Sequence, residues 1–177
     1  MRNIHTTNEM KEKGGKYLTF NLKQEEYGIA ILKLKEIIGV TKITPIPKVP
    51  AFIKGVINLR DKVIPIIDLR LKFEMPEKEY TDRTCIMVLE MQTDHWLKDG
   101  NDNPKTDGQP SVHEIGVVVD SVSEVIQIKG DDISPAPSFS GSIGTEYISG
   151  MAKVDGSVKI LLDIDKVLSN ENLQCLQ

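Results

Sequence analysis

A chain of 177 residues with 40% hydrophobic and 27% charged residues has an ordinary soluble globular composition, sized for one domain or two small ones packed together. Its net charge is −4, with acids and bases interspersed, which excludes the basic face that nucleic acid or an anionic membrane would need. Apolar runs such as residues 85–89 fall far short of the roughly 20 residues that cross a bilayer, so no direct membrane insertion is expected.

Residues 1–15 are polar, lack the apolar middle of a secretory signal, and read as a flexible arm, which points to a cytoplasmic protein. From Tyr17 the pattern turns to strands. Leu18, Phe20 and Leu22 alternate onto one face, and Tyr27, Ile29 and Ile31 continue the alternation. The connection Lys23-Gln24-Glu25 is short enough for an antiparallel hairpin. Leu34, Ile37 and Ile38 have helical spacing over a span too short for a stable helix, so residues 32–38 are either a helical turn or a bulged strand. Residues 55–60 and 63–67 form a second pair of strands, turned by Asp61-Lys62. Asp68 then ends its strand and is placed to cap a short helix over 69–73.

The second half offers strands at 83–91, 114–119, 125–128, 148–154 and 158–162, with Asp163 placed as Asp68 is. Cys85 lies in an apolar strand and Cys175 in a polar tail, an arrangement that suits a reducing compartment better than a disulfide. Between the first two strands of this half, residues 92–113 are long and polar, with Gly100, Asn101, Asn103, Pro104, Gly108 and Pro110. They read as an extended, mobile hairpin loop.

The two halves repeat one another. Gly28, Glu36, Pro47, Gly55 and Asp68 recur in order as Gly116, Glu124, Pro137, Gly150 and Asp163. Such a period is too long for a solenoid and reads as two tandem units. The expected fold is all-β: a flexible arm at 1–15, a first five-stranded barrel at 16–80, a second at 81–169 carrying the long loop 92–113, and a tail at 170–177. Five short strands per half at turn-rich spacing favour closed barrels with short helices over a flat sheet with exposed edges.

Catalytic chemistry needs convergent reactive groups, and the chain offers few. His5, His95 and His113 are not spaced as ligands on a helix, so no metal is expected. The segment Lys13-Gly14-Gly15-Lys16 lacks the preceding strand and following helix of a phosphate loop. Ser138, Ser140 and Ser142 have no nucleophile-elbow pattern. No cofactor and no enzymatic activity are expected. Two residues stand out as binding candidates. Glu36 sits among Leu34, Ile37 and Ile38 and is either a solvated carboxylate or a partner contact. Arg60 ends an apolar strand, from which a long cation reaches either a partner carboxylate or an internal one.

Together these segments resemble the CheW family of chemotaxis coupling proteins. The resemblance is carried by Glu25 to Ile29, Leu34 to Ile37, Pro50 to Arg60, Ile64 to Arg70, Gly116 to Val122, Pro135 to Pro137 and Glu146 to Gly150, and spans nearly the whole chain. It implies two SH3-like five-stranded barrels related by pseudo-symmetry, without catalysis, peripheral to receptor arrays at the inner membrane. It also implies two partners: the regulatory domain of the histidine kinase CheA, and the helical signalling tip of methyl-accepting chemotaxis receptors. The positions implied for the kinase are Leu34, Glu36 and Gly55; those for the receptor are Arg60, Cys85, Ile86, Gly116 and Gly150. Two departures are evident: the family usually has Arg-Gly where this chain has Arg60-Asp61, and the loop 92–113 is longer than is typical.

Overall fold

The computed structural model describes residues 11–93, 111–137 and 145–169; much of the expected arm, the tip of the long loop, Cys175 and the tail lie outside the described residues. Among the described residues, eleven strands make up two sheets. They are β1 (Gly15–Leu22), β2 (Glu25–Ala30), β3 (Leu34–Gly39), β4 (Ile53–Leu59), β5 (Lys62–Asp68), β6 (Cys85–Thr93), β7 (Ser111–Val119), β8 (Ser121–Ile128), β9 (Ile133–Ser134), β10 (Ile148–Val154) and β11 (Ser157–Leu162). The five-stranded sheet runs β3-β6-β7-β5-β4, and the six-stranded sheet runs β8-β1-β2-β11-β10-β9.

This order corrects the expected division at residue 80. Hairpin β1–β2 leaves the first half to sit between β8 and β11, and hairpin β6–β7 leaves the second half to sit between β3 and β5. Each half therefore donates its first hairpin to the other. Periodicity cannot reveal this, because alternation records which face of a strand is buried and not which strand lies beside it. Matching parallel contacts close the exchange: Leu161 opposite Gly28 in one sheet and Ile66 opposite Gly116 in the other.

Both sheets curl into SH3-like barrels in equivalent ways. A bridge from Thr44 to Val56 carries the segment after β3 onto β4, and Ser134 of β9 pairs with Met151 of β10. Gly55 and Gly150 each sit at a register shift in their hairpins. At Gly55, φ is +136°, and a Cβ would penetrate the Thr44 carbonyl, so only glycine lets this bridge form. A Cβ on Gly28 would lie 2.9 Å from Leu161 Cδ2, and one on Gly116 would lie 2.8 Å from Ile86 Cγ2 and overlap Ile66 Cδ1. The repeated glycines thus mark close approaches across the exchanged hairpins.

Between the barrels lies the largest core, in which Leu18, Phe20 and Leu22 meet Met87, Leu89, Val117 and Val119. Rings of Phe20, Tyr27, Phe73 and Tyr147 follow one another through this seam with successive centroids 5.9, 6.2 and 6.0 Å apart. The other face of β1 is also buried, because Tyr17 and Thr19 point into a barrel, so this strand is covered on both sides. Residues 32–38 form a 3-10 turn, Ile31–Lys33, running into a strand with a register shift between Leu34 and Glu36. The helix after Asp68 is one turn, Leu69–Lys72, and the Asp68 carboxylate accepts from the backbone N–H groups of Arg70 and Leu71. Asp163 accepts likewise from Lys166 N–H.

Candidate functional site

The hairpin turn between β4 and β5 lies one residue earlier than its spacing suggests, at Arg60 and Asp61, both left-handed with φ of 50° and 64°. Two-residue turns of this kind match the twist of the strands they join. Asp61 thus holds the place that glycine takes in the equivalent turn, Asp155-Gly156. The geometry throws the Arg60 side chain back toward β3. There Nη1 and Nη2 donate to Oε1 and Oε2 of Glu36, both at 2.7 Å. A two-pronged guanidinium–carboxylate pair fixes direction as well as charge. The hydrogen bonds from Arg60 to Glu36, and then the Glu36 charge, push the guanidinium pKa up further.

A second charged group stands on the same barrel. Glu114 of β7 accepts from Lys62 at 3.0 Å and from Lys35, its neighbour from β3. Only 11% of its side chain is exposed, and the Lys35 hydrogen bond, then that of Lys62, hold its carboxyl below the ordinary glutamate range. Its contribution to stability is therefore complete above the unfolded pKa of about 4.3 and is lost as pH falls through its lower folded value. Ile37, 40% exposed, and Val63, 70% exposed, adjoin these charges along β3 and β5 but alternate onto the other face of the sheet.

Leu34 and Glu36 are half-buried on β3, and Gly55 is buried where it shapes the Thr44 bridge. Among the positions implied for the receptor, Arg60 is exposed and Cys85 half-buried, with its thiol donating to the Arg83 carbonyl. Ile86, Gly116 and Gly150 are buried, and Ile86 and Gly116 belong to the packing inside the five-stranded barrel. Glu36 and Arg60, implied for different partners, meet directly. Sequence reasoning missed Glu114, Lys35 and Lys62. A signal existed for the first, because Glu114 precedes Ile115-Gly116 as Glu26 precedes Tyr27-Gly28.

A small polar recess lies behind the first helical turn, lined by Asp68, Arg70, Tyr80, Thr84 and Asp120 among others. Tyr80 donates to Asp68 Oδ2 at 2.9 Å, and burial, followed by the Asp68 charge, pushes its phenol pKa up. Arg70 donates to Asp120 at 2.6 Å, and Asp120 also accepts from Lys23 N–H. Each of these polar groups has a partner within the fold, and the Arg70–Asp120 pair ties the two halves together there. Among the described residues no three His, Cys, Asp or Glu side chains converge to hold a metal, and no helix is long and apolar enough to cross a membrane.

Comparison with known proteins follows the same lines. Residues 16–172 match the CheW-like domain family. The chain is 40% identical over 160 residues to the chemotaxis protein CheW of Klebsiella aerogenes, covering 90% of this chain and 85% of that protein. It is 33% identical over 165 residues to the chemotaxis protein CheW of Treponema pallidum, with 90% and 85% covered. The crystal structure of the scaffolding protein TtCheW from Thermoanaerobacter tengcongensis superposes with a TM-score of 0.69 at 32% identity, covering 89% of this chain and 94% of that one.

Proposed function

This chain belongs to the CheW-like domain family, and we propose that it is a non-catalytic chemotaxis adaptor that couples methyl-accepting chemotaxis receptors to the histidine kinase CheA. Its location in this reading is cytoplasmic, held at receptor arrays on the inner membrane through its partners. Family membership supports the role, and the Glu36–Arg60 pair is the observation that supports the docking face. An adaptor needs rigid, oriented surfaces, because it acts by raising effective concentration and fixing geometry.

The regulatory domain of CheA docks on the β3 side of the five-stranded barrel, where Leu34 and Glu36 present side chains and Gly55 holds the Thr44 bridge behind them. The receptor tip contacts Arg60 and Cys85, while Ile86, Gly116 and Gly150 shape the strands beneath. Because Glu36 grips Arg60, the two contacts share an ion pair, which gives a short route by which occupancy of one bears on the other.

Paired titration of Glu36→Lys with a CheA regulatory domain and with a receptor signalling fragment tests this. Reversing the charge at a desolvated contact costs about 2 to 5 kcal/mol of binding, so kinase affinity should fall roughly 30-fold or more. Receptor affinity should fall as well, because Arg60 loses the carboxylate that orients it, but by less than kinase affinity, and the melting temperature should change only slightly. Equal losses for both partners with a large fall in melting temperature would assign Glu36 to the fold.

A further inference from the structure

Strand exchange leaves each half of the chain incomplete. In the first half, β3 and β5 have a two-strand gap between them that β6 and β7 fill, and β1–β2 has no sheet of its own. In the second half, β8 and β11 leave the gap that β1 and β2 fill. The covalent link between halves is the connection from 73 to 84. Its anchors are Arg70 to the Pro76 carbonyl, Lys54 to Glu77 and Tyr80 to Asp68, all reaching back to the first half. Nothing in the strand pairing depends on that link.

We propose that each half is the obligate folding partner of the other, so that the chain is in effect a heterodimer fused at the connection, and both barrels, with the docking face on one of them, are composites of two partners. Large, two-sided strand pairing plus a shared aliphatic core is the kind of surface found between obligate subunits. The charges further specify which half pairs with which. Arg70, on the first helical turn, meets Asp120 at the β7–β8 corner. At the equivalent place in the other half, Asp165 meets Lys33, beside the β2–β3 corner, at 2.8 Å. The polarity is reversed. A first half pairing with a copy of itself would set Arg70 against Lys33, and a second half doing so would set Asp165 against Asp120. Like charges at both corners disfavour either self-pairing, whereas the pairing of unlike halves satisfies all four groups. Lys159 of the second half also reaches Glu26 of the first, and Glu114 of the second reaches Lys62 of the first; these pairs tie the halves together without distinguishing like from unlike pairing, since each half contributes a glutamate and a lysine.

The test starts from the folded full chain with a protease site inserted between Lys78 and Glu79, two exposed positions in the connection. After cleavage under native conditions, the two pieces should co-elute in gel filtration at the volume of the uncut chain and separate in denaturant. On removal of denaturant they should recombine one to one. Each piece alone should lack a cooperative melt. Separation of the pieces on cleavage under native conditions would overturn the proposal, as would a piece that melts cooperatively alone or as its own dimer. A variant Arg70→Asp with Asp120→Arg keeps recombination, whereas Arg70→Asp alone weakens it; equal recombination for both would remove the role given to the charges.

Discussion

The two barrels share one topology and differ in what fills them. Inside the five-stranded barrel are Ile57, Ile64, Ile66, Ile86, Val88 and Val118, a wholly aliphatic set. The equivalent places in the six-stranded barrel hold Ala152, Lys159, Leu161, Tyr17, Thr19 and Ala30. Thr19 is fully buried and satisfied by exchanging hydrogen bonds with the backbone of Glu124, and Lys159 is buried against Glu26. At these six positions one unit is aliphatic throughout, while the other carries a tyrosine, a threonine and a lysine. A buried ion pair is weak evidence for stability, since desolvation offsets most of its attraction, whereas each buried aliphatic side chain contributes about 1.5 to 3 kcal/mol. The barrel bearing Glu36, Arg60 and Glu114 should therefore be the stiffer one.

The contrast can be broken most forcefully at Gly55. Gly55→Ala meets both the Thr44 carbonyl and a backbone conformation closed to L-residues, and should cost about 3 kcal/mol or more, read by chemical denaturation. Ile66→Ala, inside the aliphatic barrel, should cost about 2 to 5 kcal/mol. Replacing Lys159 and Glu26 together by Met and Gln in the polar barrel should leave stability unchanged or raise it. Were the double variant to lose as much as Ile66→Ala, the polar interior would be as firm as the aliphatic one. The two corner ion pairs sharpen the point on a smaller scale. Arg70→Ala removes charged hydrogen bonds from side chains only 11% and 15% exposed and should cost about 1.5 to 3 kcal/mol, against about 0.2 to 1 for Lys33→Ala at its more exposed counterpart. Smallest of all, Asp61→Gly should raise stability by about 0.5 to 1 kcal/mol, because it gives the first hairpin the turn residue that the second already has at Gly156. Thermal melting resolves all of these.

Much of the fold was legible because the repeat preserved residues that geometry requires. Asp68 and Asp163 read as caps and are caps; the glycine pairs read as landmarks and mark register shifts or close approaches. Alternation located nearly all strands. What it could not convey was partnership, since Phe20 and Leu22 are equally apolar whether β1 pairs within its own half or crosses to the other. The candidate site was legible by residue and not by arrangement. Glu36 and Arg60 stood out for being charged beside apolar runs, but their contact depends on a left-handed turn at Arg60 that residue type alone does not announce. Glu114, Lys35 and Lys62 were not among the candidates, and their convergence on one oxygen follows from the exchanged β6–β7 hairpin.

Native-state amide hydrogen exchange, followed residue by residue, compares the barrels directly, because protection reports the free energy of local opening. Equivalent backbone positions form natural pairs: Ile66 with Leu161, Val88 with Thr19, and Val118 with Ala30. The aliphatic interior predicts that Ile66, Val88 and Val118 exchange only through global unfolding, while one or more of Leu161, Thr19 and Ala30 exchange through a lower-energy opening of the six-stranded barrel. Equal protection across all three pairs, or greater protection in the six-stranded barrel, would contradict the claim that the docking face rests on the stiffer of two exchanged units.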